Sequence, residues 1–302
     1  MANNQAHDTR GTSDNRLAQA VGLSVAARAA EVAGELAYIF SDDFASGDLT
    51  KTENGFTWGG GPRSGVAEAP NGPALGFTYL GAPIGEGGDQ EKWSERRYQL
   101  GDRYKEVEFE FDWYLPDGTE PSITSAKYFH RLTPGSNGVP SSAGTNNKVL
   151  RLWGDNSLGN TYTTTMWRVG ASIYADGPDG NSYFVTEWPR QGTGMGTKGP
   201  SARYFFDVND YGRLLPMKIW TRLPTRYFES DVDSDGFIRV YKDGVLILDN
   251  PLNPYIAGTT DTSSFSTPFG WENGYLMGYS NSGFEEETRV FIDNFHVRGV
   301  KV

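Results

Sequence analysis

Apolar and polar residues alternate along most of the chain after residue 40, as they do in half-buried β-strands. The strictest alternation covers residues 106–115, where four acidic side chains alternate with four apolar ones. Similar patterns predict strands over residues 74–80, 91–100, 148–153, 164–169, 215–222, 236–241, 245–248 and 290–295. Asp243-Gly244 lies between two of these segments and is a favoured two-residue hairpin turn. The chain is therefore predicted to be all-β and antiparallel from residue 40 onward.

Residues 16–39 have a different pattern, in which apolar side chains recur every three, four or seven positions. This spacing predicts a short α-helix after a polar arm over residues 1–15, and its apolar stripe consists of Leu17, Val21, Val25, Val32, Leu36 and Ile39. A lone helix of this kind buries too little apolar surface to be stable alone, so we expect it to act as an anchor. It would dock on its own β-domain, on sister helices or on a larger assembly. The predicted organisation is an arm and anchoring helix over residues 1–39 and a β-sandwich over residues 40–302.

Composition supports a β-rich protein and excludes several classes of function. The 302 residues include 38 glycines, 16 prolines and 14% aromatic residues, which favours tight turns and ring-filled sheets over a helical bundle. The net charge of −11 argues against non-specific nucleic-acid binding. Cysteine is absent, so disulfides are excluded. Neither a secretory signal nor a membrane-spanning segment is predicted, and we expect synthesis in a host cytoplasm without membrane insertion.

Five segments together resemble a known superfamily; they cover residues 94–101, 106–116, 146–153, 236–245 and 291–295. Their order resembles the concanavalin A-like lectin and glucanase superfamily, and within it the laminin-G-like and polysaccharide-lyase-like jelly rolls, including those of bacteriophage structural proteins. The resemblance covers residues 40–302. It implies an antiparallel β-sandwich and a lectin, glycanase, lyase or adhesive virion module.

The acidic strand is one candidate catalytic element. Its carboxylates share one face and lie ~6.5–7 Å apart at every second residue, within the range that a glycosidase needs. Glu108 and Glu110 are therefore weak catalytic candidates. The acidic pattern of the superfamily's glucanases is not reproduced here, and a solvated strand face explains the same residues.

A second candidate is lyase chemistry, which needs an arginine to neutralise a uronate carboxylate and a tyrosine or histidine to move the proton. Arg97, Tyr128 and His130 are the weak candidates for these roles. The resemblance implies a Gln-x-His strand in related lyases, and the matching segment here, residues 150–153, has no histidine. A structural ion pair between Glu95 and Arg97 is the alternative.

Sugar binding needs aromatic platforms beside planar polar groups. The candidates, placed in predicted long loops, are Trp153, Asp155, Trp167, Arg168, Trp188, Arg190 and Trp271. The segment of residues 177–200 is too long for a plain hairpin and is predicted to form a functional or interface loop. Each tryptophan could instead be a core ring.

Two acidic groups are candidate calcium sites. Asp231, Asp233 and Asp235 have the spacing of a calcium loop, but its twelfth position is Lys242 rather than glutamate, so an EF-hand is excluded. An acidic turn explains this segment equally. Asp43 and Asp293 form the second candidate, because the first and last strands are expected to meet. No cofactor is required, and structural calcium is the candidate ion.

Three functions remain open. The first is a lectin-like protein of a virion surface, in a capsid decoration, fibre or tail. It would be anchored through its N-terminus to other virion proteins or to its own copies, for example as a trimer, and would bind a polysaccharide or cell-surface glycan. The second is a polysaccharide lyase or glycanase. The third is a purely structural decoration protein. The first and third imply location on the virion, extracellular after release.

Overall fold

A computed structural model of the chain describes residues 35–80, 93–117, 146–154, 167–176, 181–190, 194–198, 210–225, 234–251, 270–279 and 287–302. Side chains are described for all of these except residues 146, 147, 154, 167–176, 181–190 and 194–198. Within these ranges every regular element of four residues or more is a β-strand, which confirms the all-β prediction. None of the described residues belongs to a helix long and apolar enough to cross a membrane.

Fifteen strands are described. They are β1 (Ala37–Asp42), β2 (Thr52–Glu53), β3 (Phe56–Trp58), β4 (Ser64–Ala69), β5 (Gly72–Tyr79), β6 (Trp93–Tyr114), β7 (Asn146–Gly154), β8 (Trp167–Asp176), β9 (Asn181–Arg190), β10 (Gly194–Lys198), β11 (Leu214–Arg222), β12 (Phe237–Lys242), β13 (Val245–Pro251), β14 (Trp271–Tyr279) and β15 (Thr288–Lys301).

Strand β6 belongs to both layers of the fold. Its first half pairs with β3 and β14, and β14 leads through β7, β8 and β9 to β10; we call this the first layer. Its second half pairs with β15 and β11, and these lead to β1, β5 and β4 on one side and to β12 and β13 on the other; this is the second layer. The sequence pattern predicted two separate strands here, and the structure joins them through Gly101.

Gly101 allows the bend between the two halves of β6. Its φ is +82°, in the left-handed region where a side chain is strained. A Cβ atom there would lie 2.2 Å from the carbonyl carbon of Gly55, so the close approach of these two backbones also requires glycine. The bend lets the two halves of one strand face each other across the core.

The core lies between the two layers and is rich in aromatic rings. Tyr98 on the first half of β6 packs against Phe109 on the second half, with ring centroids 5.6 Å apart. Phe56 stacks on Phe40 at 4.0 Å and on Tyr98 at 5.7 Å. This ring packing between layers makes the fold a β-sandwich.

The predicted hairpin between β12 and β13 is confirmed. Asp243 and Gly244 have φ values of +50° and +75°, as the favoured two-residue turn requires. Val240 pairs with Leu248 and Lys242 with Val245 on either side of a register shift.

The N-terminal boundary differs from the prediction. Ala37–Asp42 forms β1, which pairs with β15, and Ile39 is buried in the core. The predicted helix is therefore wrong at its C-terminal end, because pairing with β15 outweighs the helical spacing of these residues. Leu36 is half-buried before β1, and Leu17, Val21, Val25 and Val32 lie outside the described residues. The chain divides into two units between Leu36 and Ala37.

Candidate functional site

Three side chains from three adjacent strands lie in one row on the first layer. Backbone pairing sets Tyr275 of β14 opposite Arg97 of β6 on one side and opposite Arg151 of β7 on the other. The residues after them in β6 and β7, Tyr98 and Leu152, are buried in the core. Because side chains alternate along a strand, the row faces away from the core. Directly opposed residues have Cβ atoms about 4.5–5.5 Å apart, so we call these three the arginine–tyrosine row.

Arg97 is held in place by a buried carboxylate. Its Nε donates to Oε1 of Glu95 at 2.8 Å, and Trp93 Nε1 donates to the other oxygen of Glu95 at 2.7 Å. The Glu95 side chain is 1% exposed, whereas that of Arg97 is 38% exposed. The structural ion pair is therefore real. This pairing fixes the partly exposed guanidinium of Arg97 within the row.

Tyr275 and Arg151 are more buried than Arg97, at 6% exposure each. Below them, Tyr98 donates its hydroxyl hydrogen to the backbone oxygen of Arg151 at 3.2 Å. Desolvation by burial raises the pKa of Tyr98 well above its ordinary value, and the charge of a deprotonated Tyr275 raises it further. Tyr98 is thus a structural phenol, and Tyr275 is the phenol on the outer face.

A second row adjoins the first. Asn273 of β14 pairs with Gln99 of β6 and with Trp153 of β7. The Trp153 and Tyr275 rings have centroids 5.8 Å apart, tilted by 59°. Trp153 is half-buried, so one of the predicted sugar platforms lies directly beside the arginine–tyrosine row. Two amides and an indole are groups that bind sugar hydroxyls and CH-rich sugar faces.

The two rows together define a chemistry. A guanidinium binds a carboxylate through parallel N–H donors, and a phenol can both give and accept a proton. The two arginines of the row are therefore suited to bind an anionic group of a ligand. The tyrosine between them is suited to transfer a proton at a neighbouring atom of that ligand. No group of three or more histidine or acidic residues that would hold a metal occurs in the described part of the chain.

The acidic strand has partners that favour a structural role. Its carboxylates share one face of the second layer, as predicted, and cations from β11 and β15 lie on both sides. The pairs are Glu106–Arg222 at 2.8 Å, Glu108–Lys218 at 3.4 Å, Glu108–Arg298 at 2.5 Å, Glu110–Lys218 at 2.9 Å and Glu110–Arg298 at 3.0 Å. Glu108 and Glu110 each pair with a cation from both neighbouring strands, and Glu106 pairs with Arg222 of β11. We call this set the acid–base ladder.

The loop positions predicted for Trp188 and Trp271 are wrong, whereas Trp153 and Trp167 lie on strands that the alternation also predicted. Trp153, Trp167, Trp188 and Trp271 all lie on strands, and residues 177–200 contain β9 and β10 instead of one long loop. Trp271 is 1% exposed, so it is a core ring rather than a sugar platform. The segments that contain Trp167 and Trp188 form strands because β8 pairs with β7 and β9 pairs with β8.

Several other predicted site residues are only partly described. Arg168 lies on β8 opposite Trp153, and Arg190 ends β9; only their backbones are described. Asp155, Tyr128, His130, Asp231 and Asp233 lie outside the described residues. Their roles remain predictions.

Of the two predicted calcium sites, the first is described only at Asp235, and the second is described at both Asp43 and Asp293. Asp235 accepts hydrogen bonds from the backbone N–H and the hydroxyl of Thr225, which uses both of its oxygens. Desolvation raises the pKa of Asp293, and the nearby carboxylates of Asp112 and Asp43 raise it further. Asp43 and Asp293 are thus close enough to interact, without forming a metal-holding cluster among the residues described.

Sequence analysis identified Arg97 and missed Arg151 and Tyr275 as its partners. Arg151 lies in the predicted strand over residues 148–153, and Tyr275 lies outside the segments for which a strand is predicted. The pairing of β14 with both β6 and β7 joins them. The signal that identifies Arg151 and Tyr275 is that each occupies an outward-facing position on its strand, as Arg97 does.

No protein-family profile and no curated protein sequence matches the chain. Solved structures do match. An alginate lyase from Chlorella virus, vAL-1, has a TM-score of 0.54 at 12% identity, covering 87% of this chain and 99% of that one. A variant of alginate lyase Aly36B in complex with alginate trisaccharide has a TM-score of 0.51 at 15% identity, covering 81% and 88%. An endo-β-1,4-glucuronan lyase from the fungus Trichoderma reesei has a TM-score of 0.50 at 14% identity, covering 87% and 96%.

These likenesses establish the fold. The chain has a jelly-roll β-sandwich fold similar to that of these lyases, which is the fold that the sequence resemblance implied. At such low identity they do not transfer an activity.

Proposed function

We propose that the protein is a polysaccharide lyase that cleaves a uronate-containing polysaccharide at the arginine–tyrosine row. One observation carries the proposal: Arg97, Tyr275 and Arg151 lie side by side on the outer face of three adjacent strands. The fold supports it, because the structural neighbours described above are lyases of acidic polysaccharides.

The arginines would act on the uronate carboxylate. A hydrogen on C5 of a uronate is weakly acidic, because the carboxylate next to it already carries a negative charge. Guanidinium groups bound to this carboxylate offset the charge that develops when the proton leaves. Arg97, fixed by Glu95, and Arg151 on the far side of Tyr275 are placed for this role.

Tyr275 would move the proton. Its deprotonated oxygen removes the C5 hydrogen, the C4–C5 double bond forms and the bond from C4 to the linking oxygen breaks. A proton then returns to the leaving oxygen. The products are a new chain end with a free hydroxyl and an unsaturated uronate, and no water is consumed.

The second row would hold the neighbouring sugar. Gln99 and Asn273 offer amide donors and acceptors, and Trp153 offers a ring next to Tyr275. Planar amides and a half-buried indole recognise a pyranose without requiring charge. The binding site then extends beyond the single uronate at which the bond is cleaved.

The hypothesis of a lectin-like adhesion protein uses the same two rows as a binding surface but predicts no cleavage. A lectin-like protein would bind the polysaccharide at these rows and leave it intact. Location on a virion, docking through the N-terminal segment and self-association remain predictions.

The test uses the full chain with polyglucuronate, alginate and neutral β-glucan. Ultraviolet absorbance of the unsaturated uronate measures elimination, a reducing-end assay measures all cleavage, and mobility in polysaccharide-containing native gels measures binding. Tyr275→Phe keeps the ring and removes the hydroxyl, so we expect binding within a few-fold of the unmodified protein and loss of elimination by at least about 10²-fold. Arg97→Gln should weaken both binding and elimination.

Matched controls lie on the second layer. Tyr241→Phe removes a half-buried phenol from β12, and Arg298→Gln removes an arginine that is 41% exposed, close to the 38% of Arg97. Both should leave elimination unchanged. Binding without new chain ends would instead support the lectin hypothesis, and new chain ends without ultraviolet absorbance would support hydrolysis.

A further inference from the structure

A cavity of about 420 Å³ lies on the second layer, over strands β4, β5 and β15. Its lining includes Arg63, Thr78 and Arg289 together with Gly65, Gly76 and Phe291. None of these residues belongs to the arginine–tyrosine row or to the row beside it. The volume is in the range of small-ligand pockets and exceeds what a simple inorganic anion fills.

The floor of the cavity is made by residues with little or no side chain. Gly65 pairs with Gly76, and Gly76 pairs with Phe291. A Cβ atom at Gly65 would meet only the Arg96 guanidinium, at 4.0 Å, so this position opens into space. A Cβ atom at Gly76 would lie 3.1 Å from the Ala67 Cβ atom and 3.4 Å from the Phe291 ring, so the hollow opens at Gly65 and is bounded at Gly76 by these two side chains.

Arg63 is held at the cavity in an unfavourable backbone conformation. Its φ is +50°, a left-handed value that costs a residue with a Cβ atom about 1 kcal/mol or more. Its carbonyl oxygen accepts hydrogen bonds from the backbone N–H of Thr78 at 3.0 Å and from the Ser94 hydroxyl at 2.8 Å. Strained residues that their surroundings fix in this way cluster at ligand sites.

Arg63 donates from Nη1 to the backbone oxygen of Trp93 at 3.3 Å, and Arg289 brings a second arginine side chain to the cavity lining. Arg289 pairs with Thr78, the same residue whose N–H binds Arg63. Its Nε and Nη2 both contact a single oxygen of Glu287, each at 2.7 Å, and its side chain is 40% exposed. A guanidinium has five N–H donors, so this contact leaves donor capacity for another carboxylate.

We propose that this cavity binds an acidic sugar, a single uronate or the end of a short oligouronide. The carboxylate would lie between Arg63 and Arg289, and one face of the pyranose would lie on the glycine floor beside Phe291. Charge-assisted bonds from arginine favour a carboxylate, and a flat apolar floor favours a ring. This site is a second one and does not depend on cleavage at the arginine–tyrosine row.

Isothermal titration calorimetry on the full chain tests the proposal. The titrations use the Arg97→Gln protein, so that binding at the proposed cleavage site is weakened. The probes are β-1,4-linked diglucuronate and glucuronate, with cellobiose as the uncharged control and acetate as the charge-only control. Two substitutions address the cavity: Arg289→Gln removes a guanidinium, and Gly65→Val fills the open floor. Gly60→Val is the matched control, since a Cβ atom there meets nothing within 4 Å and Gly60 lies outside the cavity.

We expect the uronates to bind with one site per chain, and cellobiose and acetate to bind far more weakly. Arg289→Gln should raise the dissociation constant about tenfold or more, because a charge-assisted bond is lost. Gly65→Val should do the same, and Gly60→Val should change nothing. If the uronates do not bind, or if both cavity substitutions leave the affinity unchanged, the proposal is wrong. If acetate binds as tightly as the uronates, the cavity is a simple anion site and the proposal is also wrong. None of these outcomes depends on whether the protein cleaves polysaccharide.

Discussion

Gly274 lies beneath the arginine–tyrosine row, and its replacement by alanine should be severely destabilising. A Cβ atom at this position would lie 2.3 Å from the backbone oxygen of Arg151 and 2.3 Å from the Tyr98 hydroxyl oxygen. Ordinary contacts begin at 3.4 Å, so each of these contacts is about 1.1 Å too short. The φ of Gly274 is outside the left-handed region, and the penalty is therefore steric.

The size of the effect follows from two contributions. Forcing a methyl group into a packed core costs about 1–3 kcal/mol. Relief of the clash requires Tyr98 or strand β7 to move, which breaks the Tyr98–Arg151 hydrogen bond of 3.2 Å and costs about 1 kcal/mol more. The expected loss in free energy of unfolding is about 2–4 kcal/mol.

Urea unfolding followed by tryptophan fluorescence measures this loss as a lower midpoint at unchanged slope. Gly60→Ala is the control, because a Cβ atom at Gly60 meets nothing within 4 Å; such a change is neutral or stabilises by up to about 1 kcal/mol. A Gly274→Ala protein as stable as the control would refute the described packing of β7, β14 and Tyr98, and with it the placement of the row.

Three further predictions concern ion pairs. Glu95→Gln weakens the charge-assisted bond that fixes Arg97, so elimination should fall about tenfold while the fold persists; unchanged turnover in the absorbance assay would contradict the positioning role. Glu108→Gln in the acid–base ladder should lower the free energy of urea unfolding by about 1–3 kcal/mol and leave turnover intact, whereas lost turnover at unchanged stability would favour glycanase chemistry. Hydrogen bonding to Arg213 lowers the pKa of Asp243, so its stabilisation is complete above the unfolded-state pKa of about 3.9 and is lost as pH falls through the lower folded-state pKa. Asp243→Asn should therefore be less stable than the unmodified protein at neutral pH, and the difference should shrink as pH falls below about 3.9; a difference that stays constant in acid would count against this linkage.

Local sequence patterns were sufficient to predict many of the strands and one hairpin turn. The alternation around Phe109 predicts both a strand and its buried face, because side chains of a strand alternate with a period of two. The Asp243-Gly244 turn follows from backbone preferences of two residues. The helix predicted from the spacing of residues 16–39 is wrong at its C-terminal end, because β15, which is distant in the sequence, pairs with residues 37–42.

The candidate site was only partly predictable. Arg97 was recognisable next to Glu95, since both lie in one short segment. Arg151 and Tyr275 had no local feature that distinguished them from other strand residues. The acidic strand was equally ambiguous, because its cationic partners Lys218 and Arg298 come from β11 and β15.

By itself, the sequence determined the all-β class, the jelly-roll resemblance and which residues of each strand share a face, since these depend on composition and on the local period of the backbone. The tertiary structure decided the rest. The order and register of strands place Tyr275 between Arg97 and Arg151, bury Trp271 and leave Trp153 beside the row. Register depends on hydrogen bonds between distant segments, and a shift of one residue would turn each of these side chains to the opposite face.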